Sequence, residues 1–365
     1  MMKRVLFVAS VTGHFRAFHL PYFEHFKKEG YLVEAASNGD MEIPFCDKRY
    51  GVVFQRSPLK IKNISAYRRL KNIIRDGNYD IIHCHTPVAS MMTRIAARKA
   101  RKKGTRVIYT AHGFHFYKGA PLLNWLIYFP VEWLCSFMTD VLITINKDDF
   151  AFAKKRLHAK NIYYVPGVGI NLEKCREIDV DRSEKRKELG IPEGSTAVLS
   201  VGELNENKNH EAVLRAIAKL GRKDVVYVIC GKGNKGEYLK ELARQLNISE
   251  QLILAGYRRD VLEIYGCCDV FAFPSIREGL PVSLMEAMCN ELPIMCSDIR
   301  GNRDLIDEGK GGELFDPKDL DSVFNALKKS LALKDKEALV KYNLEKIKEF
   351  GLDSVKNKMS EIYRI

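Results

Sequence analysis

The stretch with the most chemistry in it is Phe273-Pro274-Ser275-Ile276-Arg277-Glu278-Gly279-Leu280-Pro281-Val282-Ser283-Leu284-Met285-Glu286-Ala287, which sets two glutamates, seven residues between them, among apolar neighbours. The run ending at Phe273 reads as a strand, and Pro281 suits the first turn of a following helix. Glu278 then lies in the connecting loop, where Gly279 and Leu280 would offer backbone N–H groups. Glu286 falls on a helix face with Ser283 and Asn290, away from the Leu284–Met288 stripe. A carboxylate so placed needs donors, and ribose hydroxyls would serve. Two merely solvated glutamates fit poorly in so apolar a segment.

Three further strand ends carry candidates. In Val201-Gly202-Glu203-Leu204-Asn205-Glu206-Asn207-Lys208-Asn209-His210, Lys208 is a cation near a helix start, suited to a diphosphate whose charge grows as it leaves. In Thr110-Ala111-His112-Gly113-Phe114-His115, His112 would face the crevice beyond a strand, able to hydrogen-bond a sugar hydroxyl or move a proton; a packed histidine is the competing reading. Gly13, in Val11-Thr12-Gly13-His14, would let backbone N–H groups approach a phosphate, although a plain turn would look the same. His83 and His85 flank another strand end, and their alternation reads as structural. Local spacing gives them no carboxylate or thiolate partner for a metal. Asp179-Val180-Asp181 looks like a metal-binding pair but sits in a charged segment away from any strand end. Gly231-Lys232-Gly233-Asn234-Lys235-Gly236 suggests a phosphate loop, but Glu237 follows where a Lys-Ser/Thr pair is required.

The elements that position these residues alternate in a βαβ rhythm. Strands are predicted at Arg4–Ala9, Leu32–Ala36, Val52–Gln55, Asp80–His83, Arg106–Ala111, Val141–Ile145 and Ile162–Val165. Amphipathic stretches Phe15–Lys28, Tyr67–Arg75 and Val88–Lys102 fall between them. After Pro166-Gly167-Val168-Gly169, the charged segment Glu173–Glu188 reads as a linker. A second series runs through Ala197–Val201, Val225–Cys230, Leu252–Ala255, Asp269–Phe273 and Pro293–Cys296, and Lys318–Tyr363 reads as helical. The expected architecture is α/β: two Rossmann-like, doubly wound domains facing across a cleft, residues 1–172 and 173–345. Residues 346–365 would form a helix packing back toward the first domain. Ligands in such sheets bind beyond the carboxyl ends of the strands.

Composition narrows the setting. The 365 residues are 46% hydrophobic, as in globular chains, and no run of about 18 apolar residues predicts a membrane span. The apolar run Val5–Ala9 is too short for a signal peptide and reads as the first strand. Nine scattered cysteines contain no CxxC pair, which argues against a disulfide framework or a zinc ribbon and for a reducing cytosol. The net charge of +13 is lopsided: residues 1–170 hold 27 Lys/Arg against 12 Asp/Glu, and the remainder hold 32 against 34. The basic half should meet an anionic membrane surface or a phosphorylated acceptor, with a merely solubilising basic surface as the competing reading; nucleic acid is not expected, since no nucleic-acid motif accompanies the charge. Phe114–Met138, rich in aromatics, could dip into a membrane interface or form a buried helix pair.

Together these pieces resemble the family 4 glycosyltransferases, retaining enzymes of the GT-B fold, over nearly the whole chain. The resemblance rests on His112-Gly113, on Gly202 to Lys208, on Gly256-Tyr257-Arg258-Arg259-Asp260-Val261, and above all on Glu278 to Glu286. His83-Cys84-His85-Thr86-Pro87 and Thr110–Tyr117 look like the bacterial branch that builds capsule, exopolysaccharide or lipid-linked oligosaccharide. The resemblance implies hexosyl or N-acetylhexosaminyl transfer from a UDP-sugar, with no metal or other cofactor, to a lipid-diphosphate-linked or growing polysaccharide acceptor. The implied location is cytoplasmic, peripheral at the inner membrane face. It gives Glu278 contact with the transferred sugar and Glu286 the ribose. Lys208, Gly13 and the backbone at Gly279, Leu280 and Val282 would hold the diphosphate. His112 would contact the sugar or the developing charge, and Tyr257 and Arg258 would lie near the base. One departure stands out: the family commonly carries arginine where this chain has Glu203, a gap that Arg16 or Lys232 would have to fill. Two other readings remain, a UDP-sugar 2-epimerase of the same fold and a non-catalytic sugar-nucleotide-binding scaffold.

Overall fold

The computed structural model describes residues 2–364 apart from 56, 58, 59, 177–179 and 334. Contacts divide the chain into two units. Unit 1 runs to Val168 and takes in the chain from Lys356 onward, and unit 2 is Gly169–Val355.

Unit 1 is built on seven strands: β1 (Arg4–Val11), β2 (Leu32–Asn38), β3 (Lys48–Gly51), β4 (Ile81–His85), β5 (Arg106–Ala111), β6 (Val141–Thr144) and β7 (Asn161–Tyr164). They pair in parallel in the order β3-β2-β1-β4-β5-β6-β7. Parallel strands covered on both faces need apolar side chains on both, and β1 buries every residue from Val5 to Ala9. One face of the sheet carries Leu6, Val8, Ile82, Cys84, Val107 and Tyr109 in a single core. On the other, Phe7 stacks on Phe23 with centroids 4.4 Å apart and meets Phe15 and Phe26 edge-on. The predicted strand Val52–Gln55 is a loop: the ladder to β2 forms one segment earlier, at Lys48–Gly51. The predicted helix Phe15–Lys28 is two helices, Thr12–Phe18 and Leu20–Lys28. Pro21, in the first turn of the second, has no N–H to continue the first helix, so the chain breaks at His19.

Unit 2 continues the strands as β8 (Thr196–Val201), β9 (Val225–Cys230), β10 (Leu252–Gly256), β11 (Val270–Phe273), β12 (Ile294–Ser297) and β13 (Glu313–Phe315), in the order β10-β9-β8-β11-β12-β13, all parallel. Four of the five strands read from the sequence start or end within a residue of these bounds and the fifth, Val225–Cys230, coincides; β13 is additional. The segment read as a linker contains the helices Leu172–Arg176 and Arg182–Leu189. Ion pairs tie the second of these to the rest of unit 2: Arg182 to Asp269 at 2.5 Å, and Lys185 to Asp260 at 3.0 Å and Glu263 at 2.6 Å. Asp179 lies outside the described residues. Asp181 caps that helix, its Oδ1 accepting from the Glu184 N–H at 3.0 Å.

The helix Leu352–Arg364 belongs to unit 1 from Lys356 onward, and there it delivers Tyr363, whose hydroxyl meets His83 Nδ1 at 2.8 Å. Within the same unit the helices Pro87–Ala96 and Leu122–Ser136 share a buried ion pair. Arg94 grips Glu132 with both terminal nitrogens, at 2.5 and 3.1 Å, and lies 4.1 Å over the Tyr109 ring. Removing one partner strands a charge in the core. Glu132→Ala is therefore expected to cost about 3–5 kcal/mol, while Arg94→Met combined with Glu132→Leu costs less than either single change. Denaturant unfolding of the three variants checks the order.

Candidate active site

In unit 2, β8 and β11 are neighbours in the sheet but their outward connections go opposite ways, toward β9 on one side and β12 on the other. A crevice opens where the strand order reverses. Two loops meet there. The loop after β8 carries Lys208, and the loop after β11 carries Glu278. Lys208 Nζ donates to Glu278 Oε1 at 2.8 Å and lies 4.7 Å from the Phe273 ring centroid. Both side chains remain partly accessible, 19% and 16%, so an incoming group can reach them. The two loops are laced together by the Asn207 side chain donating to the Arg277 carbonyl at 3.0 Å and the Ile276 N–H donating to the Asn207 carbonyl at 2.8 Å.

Close backbone contact explains two of the glycines. A Cβ on Gly231 would fall 1.8 Å from the Gly202 carbonyl oxygen, and one on Gly301 would fall 2.2 Å from that of Gly279. Any side chain at either position would push the loops after β9 and β12 out of the crevice wall. Gly231 thus has a role in the stretch that failed as a phosphate loop.

Beyond Glu278, Leu280 is buried and Pro281 is the residue before the helix Val282–Cys289. The free N–H groups of that first turn, with the helix dipole, favour an anion. Glu286 sits one turn further on. It accepts from the Tyr265 hydroxyl at 3.2 Å, and the same hydroxyl donates to the Ser283 carbonyl at 2.8 Å. Burial pushes the Glu286 carboxyl above its ordinary range, against the opposing pull of the Tyr265 hydrogen bond and Lys174. The carboxylate keeps capacity for further donors. Buried beside this crevice, Ser275 Oγ and Asn302 Oδ1 have no hydrogen-bond partner among the described residues.

Other sequence candidates sit differently. Glu203 is exposed and accepts from Asn205 at 2.8 Å, so its charge is turned along its own loop. Tyr257 is exposed. Arg258 is held by Asp260, at 2.8 Å through Nε, and by Glu188, which hold its charge in a salt-bridge network. Lys232 is exposed in the loop after β9, and Arg16, in unit 1, donates to the Glu42 carbonyl at 3.3 Å.

In unit 1, Gly13 is the second residue of the helix Thr12–Phe18. His112 follows β5 and packs among histidines: His85 Nδ1 lies 3.4 Å from its Nε2, and the His14 ring meets it edge-on at 4.7 Å. His19 Nε2 lies 3.1 Å from His14 Nε2. Burial holds all four imidazoles neutral, with His14 pushed down to about 4 and His19, His85 and His112 well below their ordinary value. His83 is separate in function. Its two ring nitrogens bond Tyr363 and Thr110 Oγ1, each at 2.8 Å, which makes it the structural member of the His83/His85 alternation.

Residues 4–146 match the family described as glycosyl transferase 4-like, and residues 181–346 match glycosyl transferases group 1. EpsD of Bacillus subtilis, named as a glycosyltransferase, is 41% identical over 86% of this chain and 84% of its own length. An Escherichia coli enzyme, UDP-Gal:alpha-D-GlcNAc-diphosphoundecaprenol alpha-1,3-galactosyltransferase, is 32% identical over 82% of this chain and 84% of its own. The chain belongs to the family 4 glycosyltransferases. Among solved structures, Anabaena HepE in complex with UDP superposes over the full length of both chains with a TM-score of 0.79 at 17% identity, which bears on the fold: the two parallel α/β units are those of GT-B glycosyltransferases.

In this glycosyltransferase the sequence motifs located Lys208 and Glu278 but not their pairing, which joins residues 70 positions apart. Tyr265 was missed. It lies in the helix Val261–Cys267, and only the fold brings it to Glu286. A raised carboxyl pKa gives a signed expectation. The folded state pays for the Glu286 charge above its raised pKa and pays nothing below the unfolded value near 4.5. Glu286→Gln is therefore expected to raise the Tm at pH 7–8, with the gain over the parent shrinking to nothing as pH falls toward 4.5. Thermal melts across that range decide it; a gain that grows on acidification would contradict the assignment.

Proposed function

We propose that this glycosyltransferase moves a hexosyl or N-acetylhexosaminyl group, with retention of configuration, from a UDP-sugar to a lipid-diphosphate-linked or growing polysaccharide acceptor in bacterial surface polysaccharide synthesis. The observation that carries this reading is the Lys208–Glu278 pair at the strand-order reversal of unit 2. A diphosphate offers Lys208 two negative charges in place of one, so an arriving donor competes for the ammonium and frees Glu278. Glu278 then faces the sugar, whose anomeric carbon becomes electron-poor as the bond to the diphosphate stretches. A carboxylate in a half-buried loop stabilises that centre, while Lys208 and the first-turn N–H groups after Pro281 stabilise the departing UDP. Glu286 accepts from the ribose hydroxyls. Charge on the diphosphate is met by these groups, so the transfer step in unit 2 calls for no metal ion.

The acceptor class draws on the Escherichia coli relative, whose name specifies a diphosphoundecaprenol-linked substrate, and on the basic character of residues 1–170. The donor draws on the same name and on UDP bound to HepE. Incubating the chain with a panel of UDP-sugars and a synthetic lipid-diphosphate sugar, with products read by mass spectrometry and anomeric configuration by NMR, tests the whole reading. Epimerised nucleotide-sugar without acceptor would replace it with an epimerase. Glu278→Gln is expected to lower kcat by about 10²–10³-fold with UDP affinity nearly unchanged, and Glu286→Gln to weaken UDP binding instead.

The membrane part has its own surface. No helix among the described residues is long and apolar enough to cross a membrane. The helix Leu122–Ser136 turns Trp125, Tyr128 and Phe129 toward the core but leaves Leu122, Leu123, Leu126 and Leu134 exposed, with Trp133 and Phe137 beside them. Leu122 is 74% and Leu126 66% accessible. An apolar helix face on a basic unit fits the interface of an anionic leaflet and supports a peripheral location at the cytoplasmic membrane face, where a lipid-linked acceptor would lie. The chain is expected to float with anionic vesicles at moderate salt and not with neutral ones, and Leu126→Glu with Leu134→Glu to abolish flotation while leaving UDP binding intact. Parent protein that stays with the soluble fraction would discard the membrane claim.

A further inference from the structure

Unit 1 holds a cavity of about 470 Å³, counting the part open to solvent, which lies in the range of small-molecule sites. Its walls are the start of the helix Pro87–Ala96, the segment after β5 and the helix Leu122–Ser136. The floor is apolar and rigid. Val88, Phe114 and Phe116 are buried there. The Phe114 and Phe116 rings stack with centroids 4.9 Å apart, and Trp125, Phe129 and Phe152 pack behind Phe116. The acidic side chain in the lining, Glu132, is gripped by both terminal nitrogens of Arg94, so it brings no unpaired charge into the cavity. Gly113, Ile127, Tyr128 and Val131 are partly exposed and form an open rim.

The transfer step in unit 2 gives these residues no task. They stand nonetheless where the acceptor side of the reaction must be served, at the carboxyl ends of β4 and β5. Gly113 holds φ at +126°, which glycine alone adopts readily, and the chain changes face there. His112 packs with His14 and His85 on one side of the sheet. Phe114 and Phe116 join Val88 and Tyr109 in the core on the other.

The cavity also continues into the exposed leucines. Leu123, Ile127, Val131 and Leu134 follow at spacings of four, four and three residues, which sets them on one stripe of the helix Leu122–Ser136. Leu123 and Leu134 are exposed, whereas Ile127 and Val131 wall the cavity. The rim is thus part of the apolar face that meets the leaflet in the reading above. At the opposite wall, Pro87 and Val88 bring the positive end of the helix Pro87–Ala96, whose first turn carries no acidic residue.

We propose that this cavity binds the isoprene units next to the diphosphate of the acceptor lipid, which enter from the leaflet over Ile127 and Val131. The inference rests on the lipid-diphosphate acceptor proposed above and names the part of it that unit 1 recognises. Flat rings and branched side chains suit flat, methyl-branched units, and a chain stiffened by double bonds loses less freedom on binding than a saturated one. The helix end at Pro87 favours the diphosphate, and the sugar beyond it reaches the strand-end crevice where His112 stands. Preference for a polyprenyl over a straight alkyl chain is then built into the cavity and does not depend on partitioning into the membrane.

The test keeps the full chain in solution without vesicles or detergent. GlcNAc diphosphates carrying a farnesyl or a dodecyl chain, matched in backbone length, compete with a diazirine-bearing farnesyl diphosphate whose cross-links are located by mass spectrometry. Cross-links are expected on residues 113–131, and the farnesyl compound should displace the probe at a concentration at least about tenfold lower than the dodecyl compound. Val131→Phe, which fills the rim, should weaken the farnesyl compound roughly tenfold while leaving UDP affinity and the melting temperature unchanged. Equal displacement by the two lipids, or cross-links confined to other segments, would overturn the proposal. The parent's chain preference and cross-link map decide it even if the variant misfolds. Sugar transfer to both lipids together with equal displacement keeps the proposed function and removes the cavity; selective displacement without transfer from any UDP-sugar does the reverse.

Discussion

In each unit the chain leaves its first strand in two directions, and that reversal determines where chemistry can sit. β1 lies between β2 and β4, and β8 between β9 and β11, so consecutive crossovers depart to opposite sides and leave a crevice beyond the central carboxyl ends. Sheets covered on both faces have few other places to expose polar groups together. The histidine cluster occupies that position in unit 1, and Lys208 with Glu278 occupies it in unit 2. The two sites differ in kind. Unit 1 fills the position with neutral rings, two of them buried and two partly so, and unit 2 fills it with a partly accessible pair of opposite charges.

That pair is better understood as a resting state than as a stabilising bridge. Partly exposed ion pairs contribute little to folding, and this one is held by loops rather than by helices or strands. Its geometry matters because each partner prevents the other from being stranded when the site is empty. In the proposed reading, a cation beside Phe273 and an acid beside a helix start meet groups of opposite character on one ligand. Glu203 does not upset this balance. Its carboxylate is exposed and engaged by Asn205, while the Lys208 ammonium is engaged by Glu278, so the two charges have different partners.

Strands were legible in the sequence where burial on both faces demands continuous β-branched runs, as at Arg106–Ala111 and Val225–Cys230. Legibility failed where the deciding contact is distant. Val52–Gln55 has the composition of a strand, yet the polar Lys48–Gly51 pairs with β2, because ladder register rather than hydrophobicity sets an edge strand. The charged segment before β8 looked like a tether because its partners, Asp260, Glu263 and Asp269, lie about 75–90 residues away. Glu278 and Glu286 were legible for the opposite reason: one loop and one helix carry both, and the spacing places them without help from the rest of the fold.

The histidines show the limit of local reading most clearly. No window contains more than two of His14, His19, His85 and His112, and between His83 and His85 the sequence gives no reason to prefer either. The fold separates them by what lies above β4. His83 meets the hydroxyl of Tyr363, brought from 280 residues away, and is satisfied. His85, one pleat further, reaches the end of the strand, among the His14, His19 and His112 rings and beside Phe7 and Phe15. Alternation in a strand thus gives both residues the same face but different depth, and depth decides that one ring completes a hydrogen-bond network while the other is left with a nitrogen to offer.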